Sequence, residues 1–262
     1  MMTLVRKLWK CFFYVNAVTT FLVLYPAFWI LLRSHKTFPL VFKLKRWWSK
    51  LLIAIPGLRY KVVESSHVKW PEPCIICPNH GSYLDIIMTY RVLPHYFHFM
   101  GKAELKKVPL FNSFFDRMNI LVDRSSIVNS HKAFVRAAED LDKGISIAIF
   151  PEATIPDCTP ALGKLKNGAF KLAIEKQVPI VPIVYLDNWK ALPDGPRKKK
   201  FPGQPTLLRV VIHDPISTKG MTEADLNQLK EKYKQVMDNT LEKYGSIIES
   251  SKPQYQLAVA ND

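Results

Sequence analysis

Apolar positions along this chain fall into two patterns that change near residue 59. Residues 11 to 32 carry no charged side chain. At about 1.5 Å per residue, a helix of that length could cross a hydrocarbon core of about 30 Å. Arg6, Lys7 and Lys10 precede it and Arg33 and Lys36 follow, so the flanking cations set no inside–outside bias. The run is too long for a signal peptide, and no small-residue cleavage site follows it. Asn16 and Pro26 interrupt a simple spanning helix, and a bent hairpin dipping into one leaflet is the alternative. Residues 35 to 60 then mix bulky apolar groups (Phe38, Leu40, Phe42, Trp47, Trp48, Leu51, Leu52, Ile55) with cations (Lys36, Lys43, Lys45, Arg46, Lys50, Arg59). Aromatic and cationic groups together suit a helix lying among anionic headgroups, and a core helix with a basic outer face is the competing reading.

From residue 59 on, short β-branched runs alternate with longer helical patterns. Strands are predicted over 60–63, 74–77, 97–100, 120–122, 146–150, 180–185 and 207–212, with helices over 83–93, 127–142, 167–176 and 222–243. This alternation predicts βαβ units and an α/β fold with a mostly parallel central sheet flanked by helices. Ser130 is a candidate cap for the 127–142 helix, which stops at Gly144, and Thr222 to Asp225 has capping-box spacing. Four prolines and the run Arg197 to Lys200 make 192–205 an exposed basic loop. The expected organisation is a membrane-associating helical region over 1–58, an α/β domain over 59–246 and a flexible tail over 247–262.

Charge sharpens the class. With 37 Lys+Arg against 22 Asp+Glu, the formal net charge is +15. Such a surface attracts polyanions, whether nucleic acid, anionic lipid or an acidic protein. No nucleic-acid recognition motif accompanies the charge, and the greasy N-terminus points to lipid, so no nucleic-acid partner is expected. Four cysteines form no disulfide framework. Cys74, Cys77 and His80 imitate metal-ligand spacing, but residues three apart on a strand project to opposite faces, so no metal site is expected.

The candidate chemistry centres on His80 and Asp85. Five residues apart on one helix, their side chains would diverge. They can meet if His80 sits in the turn after a strand and Asp85 in the first turn of the next helix. Pro78-Asn79, Gly81 and the Ser82-x-x-Asp85 capping pattern support that placement. Such a turn lies at the carboxyl edge of the sheet, where open α/β sheets bind ligands. A carboxylate on one ring nitrogen fixes the tautomer and leaves the other nitrogen as a base, although Asp85 could equally be a cap alone. Asp123-Arg124 follows the 120–122 strand, and Glu152 and Thr154 follow the 146–150 strand. Residues 178 to 183 form a buried-looking strand bounded by prolines.

Taken in order, these segments resemble the lysophosphatidate acyltransferase (1-acylglycerol-3-phosphate acyltransferase) family. Asn79-His80 through Asp85 is similar to its His-x4-Asp block, Leu121 to Arg124 to its second, Phe150 to Thr154 to its third and Val178 to Ile183 to its fourth. Leu165 to Ala173 resembles the link between the last two, and the likeness covers about residues 60 to 215. The resemblance implies an O-acyltransferase in which His80 is the general base and Asp85 its orienter. An acyl chain would pass from acyl-CoA or acyl-carrier protein, as co-substrate with no further cofactor, to the hydroxyl of a lyso-lipid acceptor. It further implies membrane lipids as partners and a membrane location with the active site facing the cytoplasm. Lys102, Arg124, Glu152, Thr154, Lys166 and Gly168 are the implied substrate-binding residues, with Lys164 a further candidate cation. One departure bears on the acceptor. The family's third block reads Glu-Gly-Thr-Arg, whereas this chain has Glu152-Ala153-Thr154-Ile155. Isoleucine cannot replace the bidentate fork that arginine offers a phosphate, which leaves a lyso-aminolipid as the alternative acceptor. A non-catalytic lipid-binding member of the fold is the other alternative, and the presence of both His80 and Asp85 argues for the enzyme.

Overall fold

Seven strands form one sheet in the computed structural model, which describes residues 2–65, 70–102, 117–123, 126–193 and 203–245. The chain runs through helices α1 (Met2–Leu31) and α2 (Phe38–Ala54), strands β1 (Arg59–Glu64) and β2 (Ile75–Pro78), helix α3 (Leu84–Val92), and strands β3 (Phe97–Lys102) and β4 (Ile120–Val122). It continues with α4 (Ile127–Asp142), β5 (Ser146–Ile149), α5 (Gly168–Lys176), β6 (Ile180–Tyr185), the short α6 (Asn188–Ala191), β7 (Leu207–Ile212) and α7 (Leu226–Lys243).

The strand order is β1-β7-β6-β2-β5-β3-β4. β6, β2, β5, β3 and β4 are mutually parallel. β7 pairs antiparallel with β6 and parallel with β1, so the edge strand β1 and its neighbour β7 run against the rest. The central strand β2 pairs Ile75 with both Ile147 and Ile180. All residues of β2, β5 and β6 are buried, as expected of parallel strands covered on both faces. One covering layer is α1, α2 and α3, through Phe13, Phe28, Phe42, Leu84 and Met88. The other is α4, α5 and α7, through Ala137, Phe170, Tyr233 and Met237. Cys74 faces the first layer and Cys77 the second, which separates the two thiols.

Local chemistry sets the element ends. Ser126, not Ser130, caps α4: its hydroxyl accepts from Asn129 N at 3.3 Å, while the Ser130 hydroxyl donates to Asp123 O at 2.8 Å. Gly144, at φ 79°, ends that helix in the left-handed region open to glycine. Before α7, residues Glu223–Asp225 make one 3₁₀ turn, and the Asp225 carboxylate accepts from Thr222 N at 2.7 Å. The expected flexible tail over 247–262 lies outside the described residues.

The N-terminal helices belong to the same core as the sheet. α1 stays helical through Pro26 and, at about 1.5 Å per residue, is roughly 45 Å long. Phe13, Phe21, Phe28 and Leu32 are buried, with Trp48 of α2 packed 5.6 Å from Phe21 and 6.0 Å from Phe28. Trp48 Nε1 donates to Thr20 Oγ1 at 2.9 Å, and Trp9 Nε1 to Pro56 O at 2.8 Å. The opposite stripe of α1 (Leu4, Leu8, Phe12, Val15, Val18, Leu22) is exposed. Lys45 departs from the expected row of outward cations on α2. It turns inward, with Nζ 3.3 Å from Tyr90 Oη and 3.5 Å from Met118 Sδ, and burial pushes its ammonium down to about 7. The helical period places position 45 on the face that packs on α3, and the aliphatic stem is long enough to reach Tyr90.

Candidate active site

The loop between β2 and α3 carries His80, and it is held from three sides. Asp85, in the first turn of α3, turns its carboxylate back onto that loop. Its Oδ2 lies 3.0 Å from His80 Nδ1 and accepts from Gly81 N at 2.7 Å and Ser82 N at 2.8 Å. Its Oδ1 accepts from Asn188 Nδ2 at 2.8 Å, and Asp85 is 0% exposed. The backbone amides can only donate, so Oδ2 is an acceptor here and Nδ1 supplies the proton of the third bond. That leaves the lone pair of the ring on Nε2, which makes no hydrogen bond among the described residues. Phe150, just past β5, stacks on the imidazole with ring centroids 4.1 Å apart and planes at 17°. The His80 side chain keeps 11% exposure, enough to meet a substrate at one edge.

Glu152 holds the backbone of the same loop. Oε1 accepts from His80 N at 2.7 Å and Oε2 from Gly163 N at 2.6 Å. Glu152 is 3% exposed, and burial pushes its carboxyl up to about 8, while the bonds from Gly163 and His80 draw it down. The structure thus sets Glu152, expected to contact substrate, behind the histidine loop, where each oxygen accepts from a backbone N–H group and the burial favours a positioning role. A Cβ on Gly163 would stand 2.7 Å from Pro156 Cβ and 3.0 Å from Glu152 Oε2, so this close approach requires glycine. Ala153, where the resembling family has glycine, sits at φ 66° in the left-handed region.

The remaining expected residues spread along this edge. Thr154, Lys164 and Lys166 are exposed on the loop between β5 and α5, with Lys166 N donating to Pro151 O at 2.9 Å. Gly168 opens α5, and a Cβ there would meet nothing within 4 Å. Lys102 ends β3 at the same edge, whereas Arg124 lies outside the described residues. Residues 178 to 183 supply the buried lower part of β6 and so carry packing; its upper end leads to Asn188. Two contributors escaped the sequence reading: Asn188, at 103 residues from its partner Asp85, and Gly163. Behind α3, the Ser82 hydroxyl donates to Leu192 O at 2.6 Å and Lys10 Nζ to Pro193 O at 3.0 Å, which sets the amino-terminal part of α1 beside this end of the sheet.

An ordered base and orienter, open at one edge, can take a proton from a hydroxyl and hold the positive charge that results. Known proteins share the framework. The family model described as Acyltransferase matches residues 59–186. An uncharacterised acyltransferase of Schizosaccharomyces pombe is 32% identical over 203 residues, 75% of this chain and 71% of that protein. The human 1-acyl-sn-glycerol-3-phosphate acyltransferase beta is 30% identical over 70% of this chain and 65% of its own length. The Saccharomyces cerevisiae 1-acyl-sn-glycerol-3-phosphate acyltransferase is 32% identical over 72% and 62%. The chain thus spans less than two thirds of the human and budding-yeast relatives. The crystal structure of the 1-acyl-sn-glycerophosphate acyltransferase of Thermotoga maritima superposes with a TM-score of 0.76 at 21% identity, covering 95% of this chain and 100% of that one, a likeness of fold.

Proposed function

This chain belongs to the acyltransferase family that includes the 1-acyl-sn-glycerol-3-phosphate acyltransferases, and from that membership we propose that it moves a fatty acyl chain from a thioester to the free hydroxyl of 1-acylglycerol-3-phosphate, forming phosphatidate. The observation that carries this reading is the His80–Asp85 pair, with Nδ1 held at 3.0 Å and Nε2 left without a hydrogen bond among the described residues, on a side chain that keeps 11% exposure. Nε2 takes the acceptor's hydroxyl proton as its oxygen attacks the thioester carbonyl carbon. The C–O bond forms, the C–S bond breaks, and the leaving thiolate recovers the proton from the imidazolium. Positioned general-base catalysis of this kind contributes about 10² to 10⁴ in rate.

The exposed apolar stripe of α1 is the membrane-seating surface. Because the opposite face of that helix is packed into the domain core, α1 lies in one leaflet rather than crossing the bilayer. Lipid acceptors then reach the active-site end beside Lys10 without leaving the interface. The donor is acyl-CoA or acyl-carrier protein, both anionic and both suited to a chain with a net charge of +15, with the active site on the cytoplasmic side. Ile155 favours a second acceptor reading, a lyso-aminolipid, because the arginine that would hold a phosphate is missing there.

A panel of lyso-lipids with a radiolabelled thioester donor tests both readings. Phosphatidate formed by the wild type and lost in His80→Ala is the expected result. Turnover of a lyso-aminolipid alone moves the assignment to that acceptor, and near wild-type turnover by a folded His80→Ala protein defeats the mechanism.

A further inference from the structure

At the amino ends of the parallel strands, opposite His80, the structure contains a cleft of about 660 Å³ that acyl transfer does not use. Its walls carry Arg33, just past α1, Arg117, Arg136 of α4, and Lys143 at the end of α4. Two carboxylates share the site, Glu139 and Asp140. Asp140 is turned to the floor, where its Oδ2 lies 2.8 Å from buried His98 Nδ1, and His98 Nε2 lies 2.8 Å from Tyr96 Oη. Glu139 is exposed. The four basic side chains therefore outnumber the carboxylates, one of which is already occupied.

The three arginines are positioned by groups other than carboxylates. Arg117 Nη1 donates to Leu32 O at 3.2 Å, Arg136 Nη2 donates to Arg117 O at 3.2 Å, and the Arg33 guanidinium lies 3.6 Å from the Trp29 ring centroid. Among the described residues, none of the four forms an ion pair with a carboxylate within 4 Å. A guanidinium has five N–H donors, and one backbone carbonyl uses one of them. Fixed arginines with donors to spare match the oxygens of a phosphate group.

We propose that this cleft is a second, non-catalytic site that binds a phosphate group. The headgroup of an anionic phospholipid is the occupant its position favours. Arg33 lines the cleft and also covers Trp29, which with Ile30 ends the exposed apolar stripe of α1. The cleft thus opens where that stripe stops, at the depth at which a seated helix meets headgroups. The lipid source rests on the proposed seating of α1, whereas the phosphate chemistry stands on the cleft alone.

The test uses the full chain in detergent, with binding of inorganic phosphate and of monodisperse dihexanoyl-phosphatidylglycerol measured by calorimetry. That phosphodiester is neither acceptor nor product of the proposed reaction. Arg136→Gln combined with Lys143→Gln is expected to weaken binding about tenfold or more, while acyl transfer to lysophosphatidate in the same detergent is unchanged. Binding of the lipid with little binding of inorganic phosphate supports the headgroup, and the reverse supports free phosphate. Equal binding by wild type and variant overturns the site. So does an equal loss in Lys219→Gln combined with Lys232→Gln, two exposed cations outside the cleft, because the effect would then be one of net charge. Failure of the wild type to acylate lysophosphatidate sinks the proposed reaction and leaves the binding result standing.

Discussion

Glu152→Gln distinguishes a group that positions the catalytic loop from one that touches substrate. Glu152 offers an acceptor to His80 N at 2.7 Å and to Gly163 N at 2.6 Å. A protonated carboxyl can turn its hydrogen away and still accept twice, whereas glutamine has one acceptor oxygen and an amino group that only donates. One buried N–H therefore faces another donor. A lost hydrogen bond is worth about 1 kcal/mol and an unsatisfied buried partner about 1–3 kcal/mol, so the substitution costs about 2–4 kcal/mol. At roughly 2–4 °C per kcal/mol for a chain of this size, Tm falls on the order of 5–15 °C. Thermal unfolding and steady-state kinetics of the detergent-solubilised protein read both effects. The expected outcome is a lower Tm and a lower kcat with KM for the acceptor unchanged. A raised KM with wild-type kcat and Tm would mean a direct substrate contact and would refute the positioning role. The pH dependence adds a sign. Burial raises the Glu152 carboxyl from 4.5 in the unfolded chain to about 8 in the fold. Its contribution to stability is therefore complete below the unfolded value and is lost as pH rises through the folded one. Glutamine does not titrate, so the Tm deficit of the variant narrows between about pH 5 and pH 9. A constant deficit would argue against a buried titrating carboxyl.

Three further predictions follow from the same geometry. His80→Ala lowers turnover by about 10² to 10⁴ if the ring is the base, and lowers Tm by a few degrees with the fold kept, because the buried Asp85 carboxylate loses one donor and Phe150 loses its stacking partner; wild-type turnover contradicts the mechanism. Asn188→Ala removes the donor to Asp85 Oδ1, a bond of about 1.5–3 kcal/mol to a charged group, and lowers kcat about tenfold or more with KM unchanged; a change in KM alone would place Asn188 against substrate. Ala153→Gly relieves a left-handed residue at φ 66° and raises stability by about 1 kcal/mol, read as a Tm higher by a few degrees; a lower Tm would show that the methyl packs usefully.

What could be read in the sequence was whatever repeats locally. β4, β6 and β7 lie where their apolar runs predict, and α4 spans 127–142 because Phe134, Ala137, Ala138 and Leu141 recur at helical spacing. The His80–Asp85 contact was legible because both residues sit within one turn motif. Features that needed distant partners were hidden. Asn188 meets Asp85 across 103 positions, and Gly163 approaches Glu152 by a loop with no period. Glu152 stands at a strand end like a substrate contact, and only its two buried amide partners point to a positioning role. Lys45 had an outward cation's composition and an inward helical phase, and the phase decided its place. The reversal of β1 and β7 left no trace in the strand pattern, which marks where a strand lies but not its direction.

The shared core of α1, α2 and the sheet has a practical corollary. Trimming the chain at residue 58 to obtain a soluble catalytic fragment would strip the cover from Leu84, Met88, Tyr90 and Phe97, all buried in the same cluster as Phe13, Phe28 and Phe42. α3, whose first turn holds Asp85, would then present its inner side to water. The hydrophobic helices are a wall of the catalytic domain as well as its apolar surface, so severing them should cost activity even on detergent-dispersed substrates that need no membrane at all.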